Sequence, residues 1–169
     1  MEAEPDRGKA KRELERLLFS DAFLTAYAVI DGARRLDLLT RLDEFAPPHQ
    51  CLYIGELEPE VAVVAPWLVE LRENEDFFDW LFDEGWGDSL CIWLTSEAPI
   101  LDVRAHFRRL TIVEMPDGQM VYFRFYDPRV LRAFLPTCDE AQKAQMFGEA
   151  VERFFVEDET GAAPLVFQP

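Results

Sequence analysis

The chain has 169 residues, which is enough for one domain with a hydrophobic core and too few for two domains of ordinary size. Apolar residues make up 49% of the chain and aromatic residues 13%, a composition that excludes an intrinsically disordered protein. The formal net charge is −16, from 33 acidic and 17 basic residues. Such a charge repels phosphate backbones and anionic lipid. It either attracts a basic protein partner or serves only to keep the protein in solution.

Helical and strand patterns alternate through the first half of the chain. Leu14, Leu17 and Leu18 recur at helical spacing, which predicts a helix over residues 9–24 that docks outside the main core. Apolar runs rich in β-formers, and helical stripes ended by proline or glycine, predict the elements that follow. These are a strand over 26–30, a helix over 38–46, strands over 51–54 and 67–71, a helix capped by Asn74, and a strand over 90–94.

A β-hairpin is the strongest pattern of the second half. Residues 111–115 and 119–126 flank the turn sequence Pro116-Asp117-Gly118. Apolar side chains alternate with polar or aromatic ones in the second arm, so one face is predicted to be core. The other predicted elements are helices that begin at Pro99 and Asp127-Pro128, a helix over 138–147 behind a capping box of Thr137 and Glu140, and a strand over 151–156.

The predicted fold class is α/β (α+β), a mixed β-sheet with helices packed on its faces and one antiparallel hairpin near residues 111–126. We divide the chain into an N-terminal helical segment over residues 1–25, a single α/β domain over 26–156 and a C-terminal tail over 157–169. The tail is expected to be loose, apart from local pairing of Leu165-Val166-Phe167.

Motifs that carry catalysis or bind cofactors are missing from the sequence. The scattered glycines form neither a dinucleotide fingerprint nor a phosphate loop, and neither a nucleophile elbow nor a zinc-protease motif is present. His106 follows Asp102 by four residues, a spacing that we interpret as a surface Asp–His pair. We therefore predict no enzyme, no cofactor and no metal, although a hydrolase built from two of the many carboxylates stays open.

The sequence also predicts a cytoplasmic protein with neither a nucleic-acid nor a membrane partner. The first 12 residues contain no apolar signal core, and no apolar run approaches the roughly 18 residues of a membrane span. Arg104, Arg108 and Arg109 form one small basic cluster, which we interpret as a solvated helix face. The three cysteines, 40 and 47 residues apart, lack metal-ligand spacing and are expected to be reduced and mostly buried.

Two aromatic patches are candidates for partner binding. On helix 75–84 the large apolar side chains cover about 200°, roughly double the usual core-facing stripe, so its edges either pack on a second element or meet a partner. The glycine-flanked turn after this helix offers the better candidate for an exposed anchor, and the second hairpin arm offers another patch unless a helix covers it. The candidate residues are Trp80, Phe82, Trp86, Tyr122, Arg124, Tyr126 and Arg129.

Three segments of the chain resemble one protein family in their order and spacing. They are Ala-Tyr-Ala-Val-Ile-Asp-Gly-Ala at 26–33, Ala-Pro-Trp-Leu-Val-Glu-Leu at 65–71 and Phe-Arg-Phe-Tyr-Asp-Pro-Arg-Val-Leu at 123–131, the last being the most specific. The chain resembles the adaptor chaperones of bacterial type VI secretion, called Tap or TEC adaptors, whose domain was long catalogued as one of unknown function. The likeness covers roughly residues 27–135.

This resemblance implies an α/β adaptor without catalytic activity. Such adaptors bind a cognate effector protein in the cytoplasm and deliver it to the tip or C-terminal region of the spike protein, VgrG. The family offers no catalytic residues to transfer. Asp127 and Arg129 lie in its hallmark motif, where roles as helix cap and first-turn charge explain them equally well.

Two other functions remain open on the sequence alone. The small size and the charge of −16 also suit an immunity protein that neutralises a basic toxin, because acidic inhibitors are steered onto basic active sites. A small hydrolase would need a cluster of carboxylates with raised pKa values in a deep pocket.

Overall fold

The computed structural model describes residues 6–169. It contains a six-stranded sheet with helices on both faces and a separate two-stranded hairpin. The helices are α1 (Arg7–Phe19), α2 (Leu38–Phe45), α3 (Pro59–Val64), α4 (Asp76–Gly85), α5 (Ile100–Thr111), α6 (Pro128–Phe134) and α7 (Glu140–Phe147). The strands are β1 (Thr25–Asp31), β2 (His49–Cys51), β3 (Pro66–Leu71), β4 (Cys91–Ser96), β5 (Ile112–Glu114), β6 (Met120–Tyr122), β7 (Arg153–Glu157) and β8 (Pro164–Phe167). Short 3-10 turns span Gly32–Arg34 and Leu135–Thr137.

The sheet confirms the predicted α/β class and corrects its strand directions. Its order is β2-β3-β1-β4-β7-β8, and each neighbouring pair is antiparallel, so the expectation of a mixed sheet is wrong. Strands β3 and β4, which α4 connects, do run in the same direction. They are separated by β1, and a helical connection makes a parallel pair only where the two strands lie side by side. The hairpin of β5 and β6 is confirmed.

The core lies on both faces of the sheet because the side chains of a strand alternate between its faces. In β1, Ala28 and Ile30 pack against α1, α2 and α4, whereas Tyr27 and Val29 face α5, α6 and α7. Both sets are almost completely buried. Asp31 has the parity of Tyr27 and Val29, so the last residue of β1 carries its carboxylate to the second face.

Helix α1 belongs to the first core layer, so the expectation that it docks outside the core is wrong. Ala10, Leu14 and Leu18 on its inner face are fully buried, and the Phe19 ring meets Phe78 of α4 at 5.5 Å between centroids. Burying this stripe removes apolar surface from water on both helices, which outweighs leaving either one exposed.

The wide apolar arc of α4 is explained by packing on several sides. Phe78 contacts Trp93 of β4 as well as α1, and Phe77 and Trp80 both contact Phe45 of α2. The helix begins after a Glu75 cap, because Asn74 has the left-handed backbone conformation and stands outside it. The arc therefore serves the core, as the first of the two sequence interpretations holds.

The C-terminal residues complete the sheet. β8 pairs with β7 from Phe154–Phe167 to Glu157–Pro164, so the expectation of a loose tail over 157–169 is wrong. The local pairing of Leu165-Val166-Phe167 extends into a full edge strand, since their partners in β7 are core residues.

Other boundaries moved by a few residues. Strand β2 spans His49–Cys51 in place of residues 51–54, and after it Arg108 of α5 donates to the carbonyl oxygens of Cys51 and Tyr53. The capping box of α7 is formed by Asp139 and Gln142 in place of Thr137 and Glu140. Within residues 6–169, none of the helices combines the length and apolarity needed to cross a bilayer.

Candidate partner-binding site

The three segments that carry the family resemblance meet at the C-terminal end of β1. The amide of Gly32 donates to the carbonyl oxygen of Ala65 at 3.1 Å, which joins the first segment to the second. The Arg124 guanidinium donates to the Asp31 carboxylate, which joins the first segment to the third. The resemblance therefore corresponds to one contiguous region of the molecule.

Asp31 is the buried centre of this region. Its residue is 1% exposed, and its Oδ1 accepts the Ala33 amide at 3.0 Å, which caps the following 3-10 turn. Its own amide donates to the Leu90 carbonyl oxygen at 3.0 Å. Arg124 reaches it from a side chain that is 47% exposed. The Asp31 side chain of this pair is thus buried, whereas the Arg124 guanidinium that it holds in place is partly exposed to solvent.

Gly32 allows the close contact between the first two segments. A Cβ atom at this position would lie 2.5 Å from the main-chain oxygens of both Val63 and Ala65. Real Cβ atoms do not approach backbone that closely, so any side chain would push α3 and β3 away from β1. The glycine of the Asp31-Gly32 pair at the end of β1 is therefore required for close packing as well as for the turn.

Asp127 and Arg129 form a second ion pair beside the first. Nε and Nη2 of Arg129 donate to the two carboxylate oxygens of Asp127 at 3.0 and 2.7 Å, and the Arg129 amide donates to Oδ1 at 2.9 Å. Burial by itself would raise the pKa of Asp127, but the hydrogen bonds and charge of Arg129 outweigh it, so the pKa is lowered. Asp127 is the predicted helix cap, and Pro128 is the first residue of α6, as expected.

Tyr53, Tyr122 and Tyr126 form a cluster of tyrosines at Arg124. The Tyr53 and Tyr122 rings lie 5.7 Å apart between centroids, and the Arg124 guanidinium lies 5.9 Å from the Tyr126 ring. Tyr126 is buried, and this burial raises the pKa of its hydroxyl above the usual range. The strand alternation predicted for the second hairpin arm ends at Tyr122, because the chain turns at residues 125–126 and buries both Phe125 and Tyr126.

One face of the hairpin is exposed and, apart from Glu114 opposite Met120, apolar. Tyr122 is 67% exposed, Met120 63% and Ile112 40%, and register places all three on one face of the β5–β6 ribbon. We call Ile112, Met120, Tyr122 and the adjoining Tyr53 the hairpin surface. Of these, only Tyr122 was a sequence candidate. Register identifies Ile112 and Met120 once the turn is known, whereas Tyr53 joins through a contact across 69 positions that no local pattern reveals.

The seven candidates from the sequence divide between surface and core. Tyr122, Arg124 and Arg129 lie at the surface around one region, and Trp80 is partly buried between α2 and α4 with the Arg35 guanidinium 5.3 Å from its ring. The structure does not bring Trp80 to the others. Phe82, Trp86 and Tyr126 are buried side chains.

The expectation that Trp86 is an exposed anchor is wrong. The residue is 1% exposed, stacks on Phe82 at 5.0 Å, and donates from Nε1 to the Gly161 carbonyl oxygen at 2.7 Å. The turn between β7 and β8 covers it from a position 75 residues away in sequence. The two glycines that flank Trp86 therefore belong to a tight turn that the β7–β8 turn buries.

The same turn is fixed by a buried carboxylate, Glu157. It accepts the amides of Gly87 at 2.6 Å and Ser89 at 2.9 Å. Burial raises the pKa of Glu157, and these hydrogen bonds act in the opposite direction. The raised pKa of Glu157 is thus explained by its structural role, in which it fixes the backbone of residues 87–89.

His106 does not form the predicted surface pair with Asp102. The imidazole is buried, and its Nε2 donates to the Met146 carbonyl oxygen at 2.8 Å. Helix α7 packs against this side of α5 and buries the His106 side chain, which the sequence alone predicts to be exposed. The three cysteines are free thiols, and Cys91 is buried. Within residues 6–169 no three His, Cys, Asp or Glu side chains are grouped so as to hold a metal ion.

Comparison with known proteins identifies the family. A family model described as Domain of unknown function (DUF4123) matches residues 26–145, which include all three segments that meet at the end of β1. Searches of curated proteins and of solved structures gave no significant match. Because the family model covers more than two thirds of the sequence, the chain belongs to the DUF4123 family.

Proposed function

We propose that this protein is a non-catalytic adaptor chaperone that binds a type VI secretion effector in the cytoplasm and helps to load it onto the VgrG spike. The observation that carries the proposal is the family match over residues 26–145, because these residues contain the three segments that resemble type VI adaptors. The partners are accordingly the effector and the spike protein, with neither nucleic acid nor membrane.

The surface around the third segment supports a role in protein binding. Tyrosine and arginine are enriched among residues that dominate binding energy, and Tyr122, Arg124 and Arg129 are all exposed. The two ion pairs hold the arginines in defined positions before a partner arrives, which reduces the entropy lost on binding.

Co-purification tests the proposal directly. The tagged chain is expressed with the effector and with the C-terminal fragment of the spike protein encoded beside it, separately and together. We expect a stable complex with each protein and one ternary complex in size-exclusion chromatography. Failure to bind either protein would contradict the proposal.

The charge of −16 favours a second candidate, an immunity protein for a basic toxin. The two functions differ in a toxicity assay. An immunity protein protects a cell that expresses the toxin in its own compartment, whereas an adaptor changes export of the toxin without restoring growth. Full protection at equal expression would select the immunity function.

A further inference from the structure

Helix α7 is attached to the rest of the domain mainly at its C-terminal end. Only Met146 and Phe147, in its last turn, have buried side chains, and residues 139–145 before them are exposed or partly exposed. The Phe147 ring packs on Phe154 of β7 at 5.1 Å between centroids. Because isolated helices shorter than about 12 residues are marginal in water, this eight-residue helix depends on the contacts of its last turn.

His106 of α5 supplies the polar contact at the same end. Its Nε2 donates to the Met146 carbonyl oxygen at 2.8 Å. The last four carbonyl groups of a helix have no partner within the helix, so this bond satisfies an acceptor that helix geometry leaves free. The His106 residue is only 5% exposed, which shields the bond from water. The imidazole therefore ties the end of α7 to α5.

Gly148 brings the chain close to the same imidazole. It follows α7 directly and has a φ of +53°. A Cβ atom at this position would lie 2.8 Å from Cε1 and 3.0 Å from Nδ1 of His106. Any side chain here would push the ring and the helix end apart, so the fit between them requires glycine.

Two clefts flank the imidazole, and their walls identify the charges that face it. Arg109 lines both clefts, whereas Asp102 and Glu149 line one of them. Among the residues that the structure describes, no other charged side chain lines either cleft, and the α7 residues there are uncharged. An imidazolium at position 106 is thus attracted by two carboxylates and repelled by one guanidinium.

Burial decides which protonation state the docked helix favours. It lowers the pKa of His106 and is helped by Arg109, although the hydrogen bond to Met146 acts in the opposite direction. An undocked α7 would expose the imidazole and let its pKa return to the ordinary 6.5. The undocked state then binds a proton more readily than the docked one. Docking is therefore strongest above pH 6.5 and weakens as the pH falls toward the lower docked value.

We propose that α7 is a lid that His106 latches at its C-terminal end, and that protonation of the imidazole releases it. On release, Met146 and Phe147 leave the core and uncover the Phe154 ring of β7, so acid exposes an apolar surface. This device does not depend on the proposed adaptor function, and either can fail without the other.

Amide hydrogen exchange of the purified chain, read by mass spectrometry at pH 7.5 and 5.5, tests the lid and the latch. Protection factors are compared, because they remove the direct effect of pH on exchange. We expect residues 140–147 to be less protected than β1 and β4 at both pH values, since α7 opens while the domain stays folded. Their protection should fall about threefold to tenfold at pH 5.5.

The variant His106→Gln is the control for the latch. Glutamine still donates to the Met146 carbonyl oxygen but does not titrate, so the protection of α7 should vary less with pH than in the wild type. Protection of α7 equal to that of β1 and β4 would show that it opens only with the whole domain and would overturn the lid. An equal fall in both proteins would overturn the latch.

Gly148→Ala tests the latch without changing pH. The added Cβ separates the ring from the helix end, so protection of α7 at pH 7.5 should fall about tenfold or more while β1 and β4 remain better protected. Gly55→Ala is the matched control, because Gly55 also has a positive φ but open space around it, and α7 should keep its wild-type protection. Wild-type protection of α7 in Gly148→Ala would contradict the latch. Should this variant fail to fold, the comparison of wild type with His106→Gln decides.

Discussion

Arg124 donates a hydrogen bond to Asp31 across 93 positions of sequence, and this contact joins the end of β1 to the segment between the hairpin and α6. Asp31 is buried, whereas about half of the Arg124 side chain is in solvent. The Asp-Gly at the end of β1 and the Arg-Phe-Tyr-Asp-Pro-Arg run, which belong to the first and third family-like segments, are thus held together by this pair.

Loss of the arginine should destabilise the fold. Arg124→Met leaves a buried carboxylate with the Ala33 amide and without its cation, which costs about 3–5 kcal/mol in a fully buried pair. Because Arg124 is half exposed, we expect a smaller loss of about 2 kcal/mol in the free energy of unfolding, measured in urea. Arg72→Met is the control, since Arg72 forms only exposed pairs worth about 0.5 kcal/mol. Equal losses would contradict the structural role of the Asp31–Arg124 pair.

Gly32 should not tolerate a methyl group. Gly32→Ala places Cβ 2.5 Å from two main-chain oxygens, and overpacking of this kind costs about 1–3 kcal/mol. The melting temperature should fall clearly. Gly8→Ala, in the first turns of α1, is the comparison, because alanine favours helix and the substitution should be neutral or stabilising. A Gly32→Ala protein as stable as wild type would show that α3 is not held against β1 as described.

Trp86 should stabilise the fold both through the packing of its ring and through its hydrogen bond to Gly161, and two substitutions separate these contributions. Trp86→Ala opens a large cavity beside Phe82 and should cost about 3–5 kcal/mol. Trp86→Phe keeps most of the ring and leaves the Gly161 carbonyl oxygen without its donor, at about 1–2 kcal/mol. Chemical denaturation of both variants checks the order. A stable Trp86→Ala protein with weakened partner binding would restore the exposed anchor predicted from the sequence.

Sequence patterns correctly predicted the features that depend on contacts between residues close together in the chain. The stripe Leu14, Leu17 and Leu18, the turn at Pro116-Asp117-Gly118 and the Asp127 cap each depend on neighbours within a few residues, and the structure contains the corresponding helix, hairpin and cap. The α/β class followed from their order.

Contacts between distant segments account for the wrong predictions. Trp86 is covered by a turn 75 residues later, and His106 is covered by α7, so neither burial leaves a mark in the adjacent sequence. Strand direction likewise depends on β1 lying between β3 and β4. At the candidate site, Tyr122 and Arg124 were predicted from residue type, whereas their positions beside Tyr53 and Asp31 required the fold.

His106 should make stability depend on pH below neutrality. Burial lowers the pKa of its imidazole, and the nearby charge of Arg109 adds to this, although the hydrogen bond to Met146 opposes it. The unfolded chain then binds a proton more readily than the folded one, so the stabilisation is complete above the ordinary pKa of 6.5 and is lost as the pH falls through the lower folded value. Unfolding free energies at pH 7.5 and at about pH 5.5 measure this effect.

The variant His106→Gln supplies the control for this pH dependence. Glutamine can still donate to the Met146 carbonyl oxygen but does not titrate, so it should lose less stability than wild type over the same interval. The wild-type loss also contains the contributions of all other groups, and the difference between the two proteins isolates His106. An identical pH dependence in both would contradict a lowered pKa at this position.

Effector export from living cells tests whether this protein is an adaptor for a type VI effector. A strain that lacks this protein is compared with the same strain complemented by the wild-type chain, and secreted effector and secreted spike components are quantified in the medium. We expect deletion to abolish export of the cognate effector while the secretion system still exports its spike components, and the wild-type chain to restore effector export. Unchanged effector export in the deletion strain would show that the protein is not an adaptor for this effector.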